Sequence, residues 1–111
     1  MDFSMNTAEV LNTRKLIEAF RILDANIPAQ QIVIFLEVAM NEGINMQDLS
    51  RKVGLLQSTC SRSVAALSKM HRFNKPGLDL VITEEDPKDR RYKVISLSSK
   101  GRRLWEQIQE M

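Results

Sequence analysis

The chain has 111 residues, 43% of them apolar and 27% charged, with a formal charge of +2 at neutral pH. That length suits a single domain with a modest core, one that gains by self-association. No apolar run reaches the ~18 residues of a membrane span, and the opening MDFSMNTAEVLNTRK lacks the basic start and apolar stretch of a secretory signal. One cysteine and one histidine make neither an internal disulfide nor a four-ligand zinc site, so a small, soluble, intracellular domain without metal or cofactor is expected.

Residues 7–25 place Val10, Leu16, Ile17, Phe20 and Leu23 at the spacing of one helical face. Pro28 suits a first helical turn and opens a second helix to about Asn41, whose IVIFLEVAM run is apolar nearly all round and therefore central. Gly43 follows in the left-handed position that ends helices. Asn45, with Asp48 three residues on, reads as the N-cap of a short helix, MQDLSRKV. After Gly54 a further helix begins near Gln57 or Ser58, with Ser58 a candidate cap, and runs to about His71. Leu49, Val53, Cys60, Val64 and Leu67 are spaced to face the core together, which makes about 46–72 a helix-turn-helix. Lys75-Pro76-Gly77 closes a loop, and Leu80–Glu84 and Tyr92–Leu97 are β-prone runs enclosing EDPKDR, a hairpin over about 79–97. Ser98 caps a last helix, about 98–110, with Leu104, Trp105, Ile108 and Met111 in one stripe. The predicted fold is mainly α with a small β-hairpin wing, a winged helix-turn-helix in one domain.

Charge is segregated along this order. Residues 1–48 hold three cations against seven anions, and residues 49–78 hold six cations and no acid. An acidic stretch, Asp79 to Asp86, follows, and residues 88–103 then carry seven cations against Asp89 alone. Two basic blocks, one on the helix-turn-helix and one on the hairpin, predict a two-part contact with a polyanion.

These residues resemble the MarR family of winged-helix transcription regulators over roughly residues 28–104. The resemblance rests on DLSRKVGLLQSTCSRSVAAL, which looks like the family's helix-turn-helix, and on DPKDRRYKVISLSSKG, which is close to its wing signature. That signature is an Asp-x-x-Asp-Arg-Arg tip, an apolar strand and a Ser/Thr-x-x-Gly helix start. The chain departs from the family in three ways. The 22 positions from Leu67 to Asp89 make MHRFNKPG look like an insertion, the last helix stops at Met111 where members usually continue, and the first helix is short-flanked.

The expected DNA-contacting residues are Gln57, Ser58, Thr59, Ser61 and Arg62 on the recognition helix, and Lys88, Asp89, Arg90, Arg91 and Lys93 on the wing. Gln57 can pair with adenine, Arg62 with guanine or a phosphate, and the short Ser58, Thr59 and Ser61 can reach phosphate or base. The resemblance implies that Arg91 enters the minor groove while Asp89 holds its guanidinium. A narrow minor groove concentrates negative potential, and a pre-oriented Arg loses less entropy on insertion. Lys88, Arg90 and Lys93 are then phosphate contacts.

Cys60 is expected to be a buried, inert core residue rather than a redox sensor, and His71 a surface residue at a helix end. Trp105 is expected in a dimer interface or against the first helix, and the methionines as core filler. No triad for acyl transfer, phosphate loop or metal cluster is present, so no enzymatic activity is expected. The function that follows is a homodimeric, sequence-specific double-stranded DNA-binding regulator, a repressor by resemblance, in the cytoplasm on the nucleoid. The terminal helices would form the dimer and set recognition helices about 34–36 Å apart. Family members often release DNA on binding aromatic or phenolic ligands. With 5% aromatic residues and short terminal helices a sizeable pocket is not expected here, and control by expression level or by a protein partner is at least an equal alternative. The competing reading is a winged-helix protein-interaction module with little sequence-specific DNA binding.

Overall fold

A computed structural model describes residues 4–70 and 75–111. Residues 71–74 lie outside it, and with them the expectation for His71 and half of the MHRFNKPG loop. The order is α1 (Thr7–Leu23), α2 (Ala29–Met40), β1 (Ile44–Asn45), α3 (Met46–Val53), α4 (Gln57–Leu67), β2 (Val81–Asp86), β3 (Asp89–Leu97) and α5 (Ser99–Gln109). This is the winged helix-turn-helix that the sequence predicts. No helix of the described residues is long and apolar enough to cross a membrane.

Local chemistry sets most of the boundaries. Asn6, Asn45 and Ser98 cap α1, α3 and α5, their side-chain oxygens accepting from the backbone of Glu9 (2.8 Å), Asp48 (2.8 Å) and Gly101 (2.9 Å). Asn45 also donates to the Asp48 carboxylate at 3.1 Å, a reciprocal arrangement like a capping box. Gly54 ends α3 at φ +70°, where a side chain would be strained. Pro28 sits one position earlier than expected, as the extended N-cap of α2 rather than within its first turn.

α4 ends at Leu67, about four residues short of the predicted His71. Ser68 leaves the helix in an extended conformation, and its hydroxyl donates back to the Val64 carbonyl at 2.8 Å. Gly77, Leu78, Asp79 and Leu80 donate to the carbonyls of Lys69, Ala66, Ser68 and Leu67. Residues 77–80 are therefore pinned against the end of α4, where a Cβ on Gly77 would come within 1.8 Å of the Ser68 carbonyl oxygen.

The sheet has three strands in the order β1-β3-β2, all antiparallel. The short β1, which the sequence did not reveal, pairs Ile44 with Ile95 and Asn45 with Val94. It joins the α2–α3 connection directly to the wing. The core comprises Phe20, Ile34, Phe35, Val38, Met46, Leu49, Cys60, Val64, Leu67, Leu80, Val81, Ile95, Leu97 and Leu104; Met46 alone of the described methionines fills it as expected, and Met5, Met40, Met70 and Met111 are exposed. Phe20 reaches it from α1 by an edge-on contact with Phe35, ring centroids 5.3 Å apart.

The first helix is used differently from its predicted pattern. Of its 17 residues only Phe20 is buried. Leu16 and Leu23 are half-buried against the core, while Val10, Leu11, Ile17 and Ile22 stand exposed, Ile22 to 82%. α5 instead spends its stripe on its own chain, with Leu104 buried and Trp105 and Ile108 packed beside it; Met111 stays exposed.

Candidate nucleic-acid interface

α4 divides cleanly by helical period. Cys60, Ser63, Val64 and Leu67 face the core, and Gln57, Ser58, Ser61 and Arg62 are exposed, with Thr59 half-buried between the two sets. The five predicted residues thus lie together along the outer side and start of one helix. Among the described residues Arg62 makes only a long 3.4 Å contact, to the Thr59 hydroxyl, which leaves nearly all its guanidinium donors unused there. One expectation fails. Ser58 does not cap α4: the helix begins at Gln57, one of the two predicted starts, and its N-cap is Leu56, whose side chain makes no capping hydrogen bond.

The angle of α4 is fixed from inside. α2 and α3 both pack against it, and Gln30, near the start of α2, donates to the hydroxyl of buried Ser63 at 3.1 Å. Sequence spacing gave no sign of this link, which joins residues 33 positions apart.

At the wing, β2 and β3 pair from Val81↔Leu97 out to Glu85↔Lys93, then shift register before the turn. Asp86 shapes the tip by accepting from the backbone of Lys88 at 2.9 Å. Residues i and i+2 of a strand share a face, so Asp89 and Arg91 stand side by side. The Asp89 carboxylate accepts from Arg91 three ways: Nε at 3.0 Å to Oδ1, a terminal guanidinium nitrogen at 2.6 Å to Oδ2, and the backbone N–H at 3.1 Å. The Arg91 side chain nonetheless remains 81% exposed, and its guanidinium carbon lies 5.7 Å from the Tyr92 ring centroid. The side-chain and backbone hydrogen bonds from Arg91 hold the Asp89 carboxyl below the usual carboxylate range.

The other wing residues are freer or differently engaged. Lys88 and Arg90 are exposed at the tip. Lys93 faces Glu85 across the strands at 3.9 Å, an exposed pair worth about 0–1 kcal/mol and readily exchanged for another anion.

Glu42 is a residue that the sequence did not single out. One of its carboxylate oxygens accepts the backbone N–H of Leu97 at 2.9 Å and the other pairs with Arg102 at 2.9 Å. Gly43 adds a backbone bond to Ile95 at 2.8 Å. The wing's base is thereby tied to the loop that leads into the helix-turn-helix. The partners lie 55 and 60 positions away, so no local signal could have found them.

Cys60 is fully buried in the core, and burial pushes its thiol up, away from the reactive thiolate. Among the described residues no group of three or more His, Cys, Asp or Glu side chains is placed to hold a metal ion.

No protein-family model matches the chain, and no curated protein matches it in sequence. Solved structures do match in fold. The MepR–DNA complex of S. aureus superposes with a TM-score of 0.72 at 18% identity, over 93% of this chain and 77% of that one. A MarR transcriptional regulator from Methanosarcina mazei gives a TM-score of 0.68 at 20% identity, over 93% and 70%. CouR, a transcriptional repressor bound to a 23-mer DNA duplex, gives 0.65 at 21% identity, over 93% and 66%. The chain has a MarR-like winged-helix fold.

Proposed function

We propose that the protein is a homodimeric, sequence-specific regulator of transcription that binds double-stranded DNA and acts as a repressor. The observation that carries this reading is the wing-tip arginine, an exposed guanidinium oriented by its own neighbouring carboxylate. A surface ion pair in that place contributes little to stability. A fixed cation at the end of a hairpin is, in contrast, suited to a narrow minor groove. On the same frame the outer side of α4 offers one amide, short hydroxyls and one guanidinium, the groups that read base edges in a major groove. Ser58, Thr59 and Ser61 are short enough to reach base or phosphate, and Lys88, Arg90 and Lys93 supply contacts to the sugar-phosphate backbone. Two structures of like fold are described as DNA complexes, which supports the same use here.

The dimer follows from α1. A 17-residue helix with one buried residue and four exposed large aliphatics is unfinished as a monomer's helix. A second copy of the same face completes it. Two recognition helices would then read half-sites about 34–36 Å apart.

The test is selection of bound duplexes from a random library, with the affinity of the winners followed against salt. An enriched pseudopalindrome with a steep salt slope is the expected result. Weak binding indifferent to sequence would refute the regulator and leave a protein-interaction module as the use of this fold.

A further inference from the structure

The start of α4 is built against its own stability. Three helices of this chain carry a side-chain cap, from Asn6, Asn45 and Ser98. At the same place α4 has Leu56, whose carbonyl accepts the Cys60 N–H but whose side chain can accept nothing, so that α4, like α2 behind Pro28, has no side-chain cap. Leu ranks among the poorest N-cap residues. Nor is Leu56 there for packing, since it is 76% exposed while Leu55 beside it takes the place against the core. A position that forgoes both capping and burial stands at the tip of the helix whose N-terminal residues meet base edges.

Its surroundings define what it fits. Gln57, Ser58 and Ser61, all exposed, make this end of α4 polar. Leu56 is the one large apolar group beside them. The major groove offers a single apolar feature to such a group, the 5-methyl of thymine. We propose that Leu56 is a specificity-determining residue that packs on a thymine methyl at the edge of the α4 footprint. This rests on the DNA-reading function proposed above.

The experiment uses the full chain and a duplex enriched by selection. Each thymine is replaced in turn by deoxyuridine, which removes only the methyl. At one position per half-site the replacement weakens wild-type binding about fourfold, the value of one buried methyl group. Leu56→Ala loses that sensitivity at that position and leaves the deoxyuridine penalties at every other position unchanged. Leu56→Ser does the same while raising the melting temperature, because serine caps the helix. Opposite movement of stability and methyl discrimination is not what a packing residue gives. Equal deoxyuridine penalties in wild type and Leu56→Ala at every position would overturn the methyl contact alone, and so would a fall in melting temperature for Leu56→Ser. A library that yields no preferred duplex would overturn the DNA-reading function, and this contact with it.

Discussion

Gly101 lies in the first turn of α5, pressed against the chain just before β2. A Cβ built there would come 2.0 Å from the Leu80 carbonyl oxygen and 3.0 Å from its carbonyl carbon. An ordinary carbon–oxygen contact is about 3.3 Å, so Gly101→Ala forces α5 and β2 apart by roughly 1.3 Å. Neither side yields cheaply. The Leu80 oxygen accepts from Ser98 N–H at 3.0 Å, the Ser98 hydroxyl donates to the Asp79 carbonyl at 2.6 Å, and the Lys100 ammonium donates to the Leu78 carbonyl at 2.9 Å. Helix propensity argues the other way, since Ala in place of Gly gains up to about 1 kcal/mol in a helix interior and less near its start. Overpacking against backbone costs about 1–3 kcal/mol, and straining one of these hydrogen bonds about 1 kcal/mol more, which offsets the propensity gain. The sum favours destabilisation by about 1–3 kcal/mol, a large part of the ~5–15 kcal/mol that holds a domain folded. Urea denaturation read by far-UV circular dichroism measures it, as a lower midpoint at unchanged slope. A Gly101→Ala protein as stable as wild type would show that propensity wins and that the α5–β2 contact is not close-packed.

Arg91→Ala is expected to weaken binding to duplexes with a narrow minor groove beside the core site, and Asp89→Asn to weaken it less, with the fold of both unchanged; fluorescence anisotropy on the selected duplex decides this. Because the Asp89 carboxyl is held below its ordinary value, the Asp89–Arg91 pair is complete above the unfolded aspartate pKa and is lost only as pH falls through the lower folded value. Its contribution should accordingly be flat from pH 6 to 8, roughly, and a change in Arg91 dependence there would contradict the pairing. Gln57→Ala or Arg62→Ala should cost about 1–3 kcal/mol of discrimination at one base position where the contact is bidentate; a loss uniform across sequences would assign the residue to phosphate. The Cys60 thiol should resist alkylation in the folded protein and react as fast as a free thiol in denaturant, and rapid labelling under native conditions would contradict its burial.

What could be read from the sequence was whatever is written locally. Asn45 with Asp48 and Ser98 with Gly101 are separated by three residues and meet as their capping pattern predicts, and Asp89 meets Arg91, two residues on, as the family resemblance implied. The inward face of α4 followed from helical period alone. The failures are of two kinds. α4 starts where predicted but stops short of its predicted end, because Ser68 closes the helix early, and Leu56 rather than the candidate Ser58 occupies its capping position. The rest is long-range: β1, the ties made by Glu42 and the Gln30–Ser63 strut join segments 33 to 60 positions apart, and nothing in local composition encodes them. α1 misled for a related reason. A one-sided apolar pattern shows that a face must be covered, not by which molecule.

The stitching of β3 to the α2–α3 connection has a geometric consequence. β1, Glu42 and Gly43 fasten the hairpin's base to the segment from which α3 departs, and α3 in turn packs on α4. α4 and the hairpin therefore behave as the two jaws of a caliper with a locked hinge. For the DNA contacts proposed here, the distance from base-reading site to minor-groove site is a preset length. Each inserted base pair advances the helix by about 3.4 Å and turns it by roughly a tenth of a revolution. A locked caliper cannot follow that step, so the operator should encode a spacing as strictly as it encodes letters.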